Sequence, residues 1–253
     1  MPDTPETPDT PQTPDTADTP ETPETPTLGG PVLQPASGAA PKQLVILLHG
    51  VGSDGDDLIG LAPYFQRILP DGLFVAPHAP FAFDMAPFGY QWFSLQDTGP
   101  EARLAGTQTA APILDAFIDV QLAATGLGED SLALIGFSQG TMMALHVGLR
   151  RARGLAGILG YSGMLVGEEL LADAIKSRPP VMLIHGEADD VMPFEAQAAA
   201  VKGLEAVGVP VRHESRPGLG HGVDEDGIRT GMGFLAEIFG VDLEALAEEP
   251  AEG

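Results

Sequence analysis

The stretch from Leu132 to Leu145, LALIGFSQGTMMAL, constrains this chain more than any other. It opens on a continuous apolar run, Leu132-Ala133-Leu134-Ile135, followed by Gly136-Phe137-Ser138-Gln139-Gly140, a G-x-S-x-G pentapeptide. Beyond it the apolar residues change spacing, and Met142, Met143, Leu145 and Leu149 recur at helical intervals. Strand, tight turn and helix in that order predict an elbow with Ser138 at its tip. Glycines two residues to either side let strand and helix approach without a side-chain clash. The hydroxyl is then held above a sheet, at a helix N-terminus whose partial positive charge favours a developing anion.

The rest of the sequence fits a sheet around that elbow. Gln43 to Leu48 is a continuous apolar run after its first residue, as expected for a strand buried on both faces. Helix is expected over residues 56–69 and strand over 73–76. Residues 77–105 read as a long connection. A helix follows over 109–125, with Pro112 in its first turn. The central strand at 132–137 leads into a helix over 139–151. Strands at 155–161, 181–184 and 209–214 then alternate with helices at 168–176, 194–207 and 228–239. Such alternation predicts an α/β fold, a mostly parallel, doubly wound sheet with helices on both faces and a minimal lid.

Composition limits what surrounds this domain. Residues 1–27 are almost all Thr, Pro and acid, with seven acids and no Lys or Arg, and read as a disordered tail. Residues 28–41 read as a linker or loosely attached arm, 42–242 as the folded domain, and 243–253 as a frayed acidic C-terminus. The net charge is −24, from 12 basic and 36 acidic residues. Without the tail's acids the remainder is still near −17, which excludes nucleic acid and anionic membrane as partners for most of the surface. No run of about 18 apolar residues is present, so integral membrane association is not expected. There is no N-terminal basic and apolar leader, and the expected compartment is the cytoplasm. With no cysteine there is no thiol nucleophile or disulfide.

Ligand sites of open α/β sheets form at the C-terminal ends of strands. After the first apolar run comes His49-Gly50-Val51-Gly52. After the central strand comes Ser138. His185-Gly186-Glu187-Ala188-Asp189-Asp190 follows residues 181–184, and Gly218-Leu219-Gly220-His221-Gly222 follows the last strand. The strand ends therefore offer a hydroxyl, a carboxylate and an imidazole, in that chain order. A neutral serine needs a base to take its proton, and imidazole titrates near neutrality. A carboxylate on the far ring nitrogen fixes the tautomer. Ser138 is thus the candidate nucleophile, His221 the base and then the acid, and Asp189 the orienting carboxylate, with Asp190 and Glu187 as rivals by position alone. The backbone N–H groups of Gln139 and Val51 are the candidate oxyanion donors. His49 and His185 are expected to brace loops, His78 to serve a rigid turn, and His146 to pack behind the elbow, while His213 lies within a strand. Asp54, Asp56 and Asp57 lack the EF-hand spacing and read as a solvated helix start, so no metal or cofactor is expected. Six of the chain's 15 aromatics fall between Phe81 and Phe93. They form either a small satellite core or an apolar wall for a substrate.

These motifs resemble the bacterial carboxylesterase and acyl-protein thioesterase family of α/β-hydrolases. The resemblance runs from about Leu44 to Phe239. It rests on Leu48-His49-Gly50-Val51-Gly52 with Asp54, Gly136-Phe137-Ser138-Gln139-Gly140, Tyr161-Ser162-Gly163, His185-Gly186-Glu187-Ala188-Asp189 with Val191 and Pro193, and Gly220-His221. In the family's H-G-x-x-D pattern the acid is the fifth residue, which selects Asp189. The resemblance also implies Val51 and Gln139 as the oxyanion hole, at a first position more often Leu, and places Trp92-Phe93 beside the acyl pocket. The implied activity is hydrolysis of carboxylic esters of short to medium acyl chains through an acyl-enzyme. Acyl-protein thioesterase or lysophospholipase activity is the alternative, and a non-catalytic binder retaining the fold is the alternative from another class. The expected partner is a small-molecule ester or thioester, and the expected state a monomer or homodimer.

Overall fold

The structure is a computed structural model that describes residues 27–243. The expectations for residues 1–26 and 244–253 lie outside it. Seven strands form one sheet in the order β1-β3-β2-β6-β7-β8-β9. They are β1 (Val32–Leu33), β2 (Gln43–Leu48), β3 (Gly72–Val75), β6 (Leu132–Phe137), β7 (Gly157–Tyr161), β8 (Val181–Gly186) and β9 (Val211–Arg216). Every pairing is parallel except that of β1 with β3. β4 (Phe81–Ala82) and β5 (Tyr90–Gln91) form a separate antiparallel hairpin.

The two-residue side-chain period of the strands sends alternate residues into two cores. Leu44, Ile46 and Leu48 of β2, with Leu132 and Leu134 of β6, face α3 (Pro100–Thr125), α4 (Gln139–Gly148) and α6 (Glu195–Ala206). Val45 and Leu47, with Ala133 and Ile135, face α2 (Ala62–Gln66) and α7 (Glu225–Ile238). Helices on both faces are what a doubly wound sheet requires. The order reverses at β2, which lies between β3 and β6. The loops leaving β2 and β6 diverge there and open the crevice that holds ligands in such sheets.

Several boundaries differ from those read in the sequence. The segment taken as a linker contributes β1, and its Leu28 is buried in the core. The helix expected over 56–69 is broken into α1 (Gly55–Leu58), a 3-10 turn (Ile59–Leu61) and α2, because Pro63 lacks the N–H that would continue the ladder. Helix α3 begins nine residues earlier than expected, at Pro100, so Pro112 is in its interior rather than its first turn. Pro112 and Gln108, whose carbonyl loses its helical donor, are both exposed, so water can replace the missing bond. β9 runs two residues beyond the expected strand, to Arg216, and α5 (Glu168–Ala174) ends two residues early. No described helix is long and apolar enough to cross a membrane.

Candidate active site

The nucleophile candidate occupies the tip of the elbow in a left-handed backbone conformation, with φ 53° and ψ −115°. A non-glycine residue held there is strained, and the strain persists because its surroundings over-determine it. The Ser138 amide donates to the Tyr161 carbonyl at 2.9 Å, and the Ser138 carbonyl accepts from Thr141 at 3.0 Å. The Thr141 hydroxyl donates to the same Tyr161 carbonyl at 2.9 Å. A Cβ on Gly140 would run into the Leu48 carbonyl, and one on Gly136 into the Thr141 backbone. Only glycine allows β6 and α4 to close this tightly on β2. Ser162, at the neighbouring strand end, is the other described non-glycine residue with positive φ, at 46°.

Asp189 and His221 meet beyond β8 and β9. His221 Nδ1 lies 2.8 Å from Asp189 Oδ2. A carboxylate only accepts, so Nδ1 carries the proton and Nε2 is left as the free base. Asp189 Oδ1 accepts from the Met192 and Val191 amides at 2.8 and 3.0 Å. Burial alone would raise the Asp189 pKa. The Met192 N–H, His221 and the Val191 N–H outweigh it and hold the carboxyl below its ordinary value. His185 backs the pair, its Nε2 lying 2.9 Å from the Met192 carbonyl and 3.3 Å from Asp189 Oδ2. The loop that carries His221 is fastened rather than free. Ala188 N–H donates to Leu219 O at 2.9 Å, and Arg216 forks onto Asp224 at 2.9 and 3.1 Å, closing the loop at its base. A Cβ on Gly186 would strike the Leu219 carbonyl, so glycine is needed where this loop crosses β8. The His221 ring lies 4.9 Å from that of Phe137, the residue before Ser138. Asp189 therefore holds the position that Asp190 and Glu187 contested. Asp190 is exposed, and Glu187 accepts instead from the Ser215 hydroxyl at 2.8 Å.

The oxyanion candidates are Gln139, first residue of α4, and Val51, in the turn after β2. The Gln139 amide has no intrahelical carbonyl to reach. Its side chain locks onto one short segment: Oε1 accepts from Trp92 N–H and Nε2 donates to Phe93 O, both at 2.8 Å. Trp92 Nε1 in turn donates to the His49 carbonyl at 3.0 Å. His49 Nε2 accepts from Ala79 N–H at 2.9 Å, so its proton is on Nδ1 and donates to Gly50 O at 2.7 Å. Burial lowers the His49 pKa, consistent with a neutral brace. The hairpin closes the loop from outside, through Gly52 N–H to Tyr90 O and Tyr90 N–H to Ser53 O, both 2.8 Å. The sequence alone does not reveal this clamp, since Gln139, Trp92 and His49 are far apart in the chain and share no spacing signal.

Trp92 is fully buried and Phe93 2% exposed, both within the core that α3 and α4 cover. Neither ring presents an open face to an incoming chain. The exposed apolar side chains of the segment are Met85, Phe88 and Tyr90. Trp92→Ala should accordingly lower stability by about 3–5 kcal/mol, which for a domain of this size is on the order of 10 °C in melting temperature. Activity should fall by a similar factor on esters of every chain length. A selective loss on long chains at an unchanged melting temperature would return Trp92 to the substrate wall.

Asp54, Asp56 and His78 bring ligand atoms within 4.8 Å of one another. However, His78 Nδ1 already accepts from Gly55 N–H at 3.1 Å, leaving its proton on Nε2, and Asp54 Oδ1 caps Asp57 N–H at 2.9 Å. The cluster braces the start of α1, and His78 stacks on Tyr90 at 4.9 Å.

Comparison with known proteins matches this architecture. The family model described as Phospholipase/Carboxylesterase matches residues 32–238. Acyl-protein thioesterase 1 of Gibberella zeae is 28% identical over 208 residues, 76% of this chain and 88% of that protein. Esterase YpfH of Escherichia coli is 28% identical over 195 residues, 77% of this chain and 82% of that protein. The crystal structure of esterase PE8 superposes with a TM-score of 0.81 at 47% identity, over 84% of this chain and 99% of that one. A match that spans β1 to α7, on a sheet of this order, places the chain in the phospholipase/carboxylesterase family of α/β-hydrolases.

Proposed function

We propose that this protein hydrolyses carboxylic esters of short to medium acyl chains through an acyl-enzyme on Ser138. The observation that carries the reading is an imidazole whose Nδ1 proton is committed to a buried carboxylate and whose ring lies 4.9 Å from that of Phe137, the residue before the strained serine at the elbow tip. His221 Nε2 takes the Ser138 proton as the hydroxyl oxygen attacks the ester carbonyl. The oxyanion that forms is held by the Gln139 and Val51 N–H groups. His221 then gives its proton to the leaving alcohol, and the C–O bond to that alcohol breaks. Water, deprotonated by His221, attacks the acyl carbon, and His221 then returns that proton to the Ser138 oxygen as the acyl C–O bond breaks, releasing the acid and the free hydroxyl. Asp189 remains ionised throughout and stabilises the imidazolium. All of these groups belong to the chain itself, and the chemistry calls on no metal or cofactor.

Thioester hydrolysis is the second reading, favoured by relatives named acyl-protein thioesterase 1. The same steps apply, with a thiol as leaving group. The proposal extends to a cytoplasmic monomer or homodimer acting on small-molecule substrates, in line with a net charge of −24 that disfavours anionic surfaces. The test is turnover of p-nitrophenyl esters of graded chain length against matched thioesters, with a fluorophosphonate probe in parallel. Ester turnover and labelling at Ser138 are expected. Folded protein that resists the probe and turns over neither class would replace the reading with a non-catalytic binder on a hydrolase fold.

A further inference from the structure

Two backbone amides are left free at the candidate oxyanion hole. Gln139 stands first in α4, so its N–H lies before the helical ladder begins. Val51 lies in the turn after β2, and its N–H donates to no carbonyl among the described residues. Such donors act only if both stand about 3 Å from one oxyanion, and a misplacement of about 1 Å can cost about a hundredfold in rate. The helix fixes Gln139. The turn is less well held by itself, since Ser53 N–H reaches Gly50 O only at 3.3 Å.

What fastens the turn comes from residues 89–92. His49 O accepts from the Trp92 indole N–H at 3.0 Å. Gly52 N–H donates to Tyr90 O, and Tyr90 N–H to Ser53 O, both at 2.8 Å. Gly89 comes so close that a Cβ there would meet the Gly52 carbonyl. Residues 92–93 hang in turn on one side chain. Gln139 Oε1 accepts from Trp92 N–H and Gln139 Nε2 donates to Phe93 O, both at 2.8 Å. A continuous bracket therefore runs from the Gln139 side chain, through residues 90–93, to His49 and Gly52, which flank Val51.

We infer that the Gln139 side chain is a positioning group for the oxyanion hole, setting where the Val51 N–H stands relative to the N–H of Gln139 itself. The inference rests on the hydrolase reading and gives a part to a side chain that the reaction steps leave unused. A primary amide suits the task because it accepts and donates in one plane, and so grips the N–H of one residue and the C=O of the next together. Gln139 is 2% exposed, so water does not compete for either bond. One residue thus supplies one donor by its backbone and locates the other by its side chain. A side chain that only satisfied a buried strand end would affect stability and leave the transition state untouched.

The test compares two ligands of the full chain. In a trifluoromethyl ketone the Ser138 oxygen bonds to the carbonyl carbon, its proton passes to His221, and the carbonyl oxygen becomes an oxyanion in the hole. The matching ether cannot form one. Gln139→Met keeps the backbone donor and the side-chain length but loses both bonds. Trp92→Phe keeps an aromatic ring in the core and the bonds to Gln139, and loses the N–H on the His49 carbonyl. Each variant should bind the ketone about tenfold to a hundredfold more weakly, with ether affinity almost unchanged. On a p-nitrophenyl ester kcat should fall by a similar factor while KM holds. The double variant should be within about twofold of the weaker single one, because both break the same bracket. Should one variant fail to fold, the other alone gives the ketone-to-ether ratio. A wild type that binds the ketone no better than the variants do overturns this inference and leaves the hydrolase reading standing. So does an equal loss on ketone and ether, or a double variant in which the two losses multiply. A wild type that takes neither the ketone nor a fluorophosphonate overturns the hydrolase reading, and the inference with it.

Discussion

Replacing Ser138 by Ala should reduce ester turnover by about four to six orders of magnitude, leaving only what transition-state binding supplies without a nucleophile. The fold should be untouched. The elbow conformation is held by main-chain bonds, from Ser138 N–H to Tyr161 O and from Thr141 N–H to Ser138 O, which alanine keeps. The melting temperature should therefore match the wild type, and affinity for a non-hydrolysable substrate analogue should be retained. Turnover within tenfold of the wild type would remove Ser138 from the chemistry.

Asp189→Asn should lower kcat by about 10⁴ while the protein stays folded. Its amide oxygen can still accept from Val191 and Met192, as Oδ1 of Asp189 does at 3.0 and 2.8 Å. The new NH₂ faces His221 Nδ1 where the carboxylate accepted a proton at 2.8 Å. Donor then meets donor, and the ring turns to the tautomer with its proton on Nε2, which cannot receive the Ser138 proton. The acid limb of stability should change as well. The Asp189 carboxyl is held below its ordinary value, so the unfolded chain binds its proton first. Its contribution is complete above the unfolded pKa and is lost as pH falls through the lower folded one. A titration of melting temperature between pH 5 and the acid limit should be flatter for the Asn variant. An equal slope would mean that Asp189 is not the carboxylate that His221 holds.

What the sequence shows plainly is whatever is written in neighbouring residues. The buried parallel strands are continuous apolar runs, and β2, β6 and β8 fall within two residues of where those runs place them. The chain order of Ser138, Asp189 and His221 comes from strand ends that topology gathers at one edge of the sheet. The first part of α3 is hidden because residues 100–108 contribute one buried side chain, Thr107, and so carry no helical stripe. Pro112 reads as a helix start because chain statistics cannot say that its face looks into solvent. β1 escapes notice at two residues, too short for a periodicity. The paired roles of Trp92 are beyond reach for another reason. An indole that fills a core and also holds a carbonyl satisfies both the packing and the site interpretations, and only burial separates them.

That indole has a practical consequence. Trp92 is the chain's one tryptophan, and its N–H is spent on the His49 carbonyl, two residues before Val51. The protein therefore contains its own fluorescent gauge of the loop after β2. Any opening that lets water reach Trp92 will redden the emission before the sheet melts, and the gap between that optical transition and global unfolding by circular dichroism reads the local stability of the loop. With no second tryptophan to blur the signal, a stopped-flow trace during acyl transfer would time the motion of that loop directly.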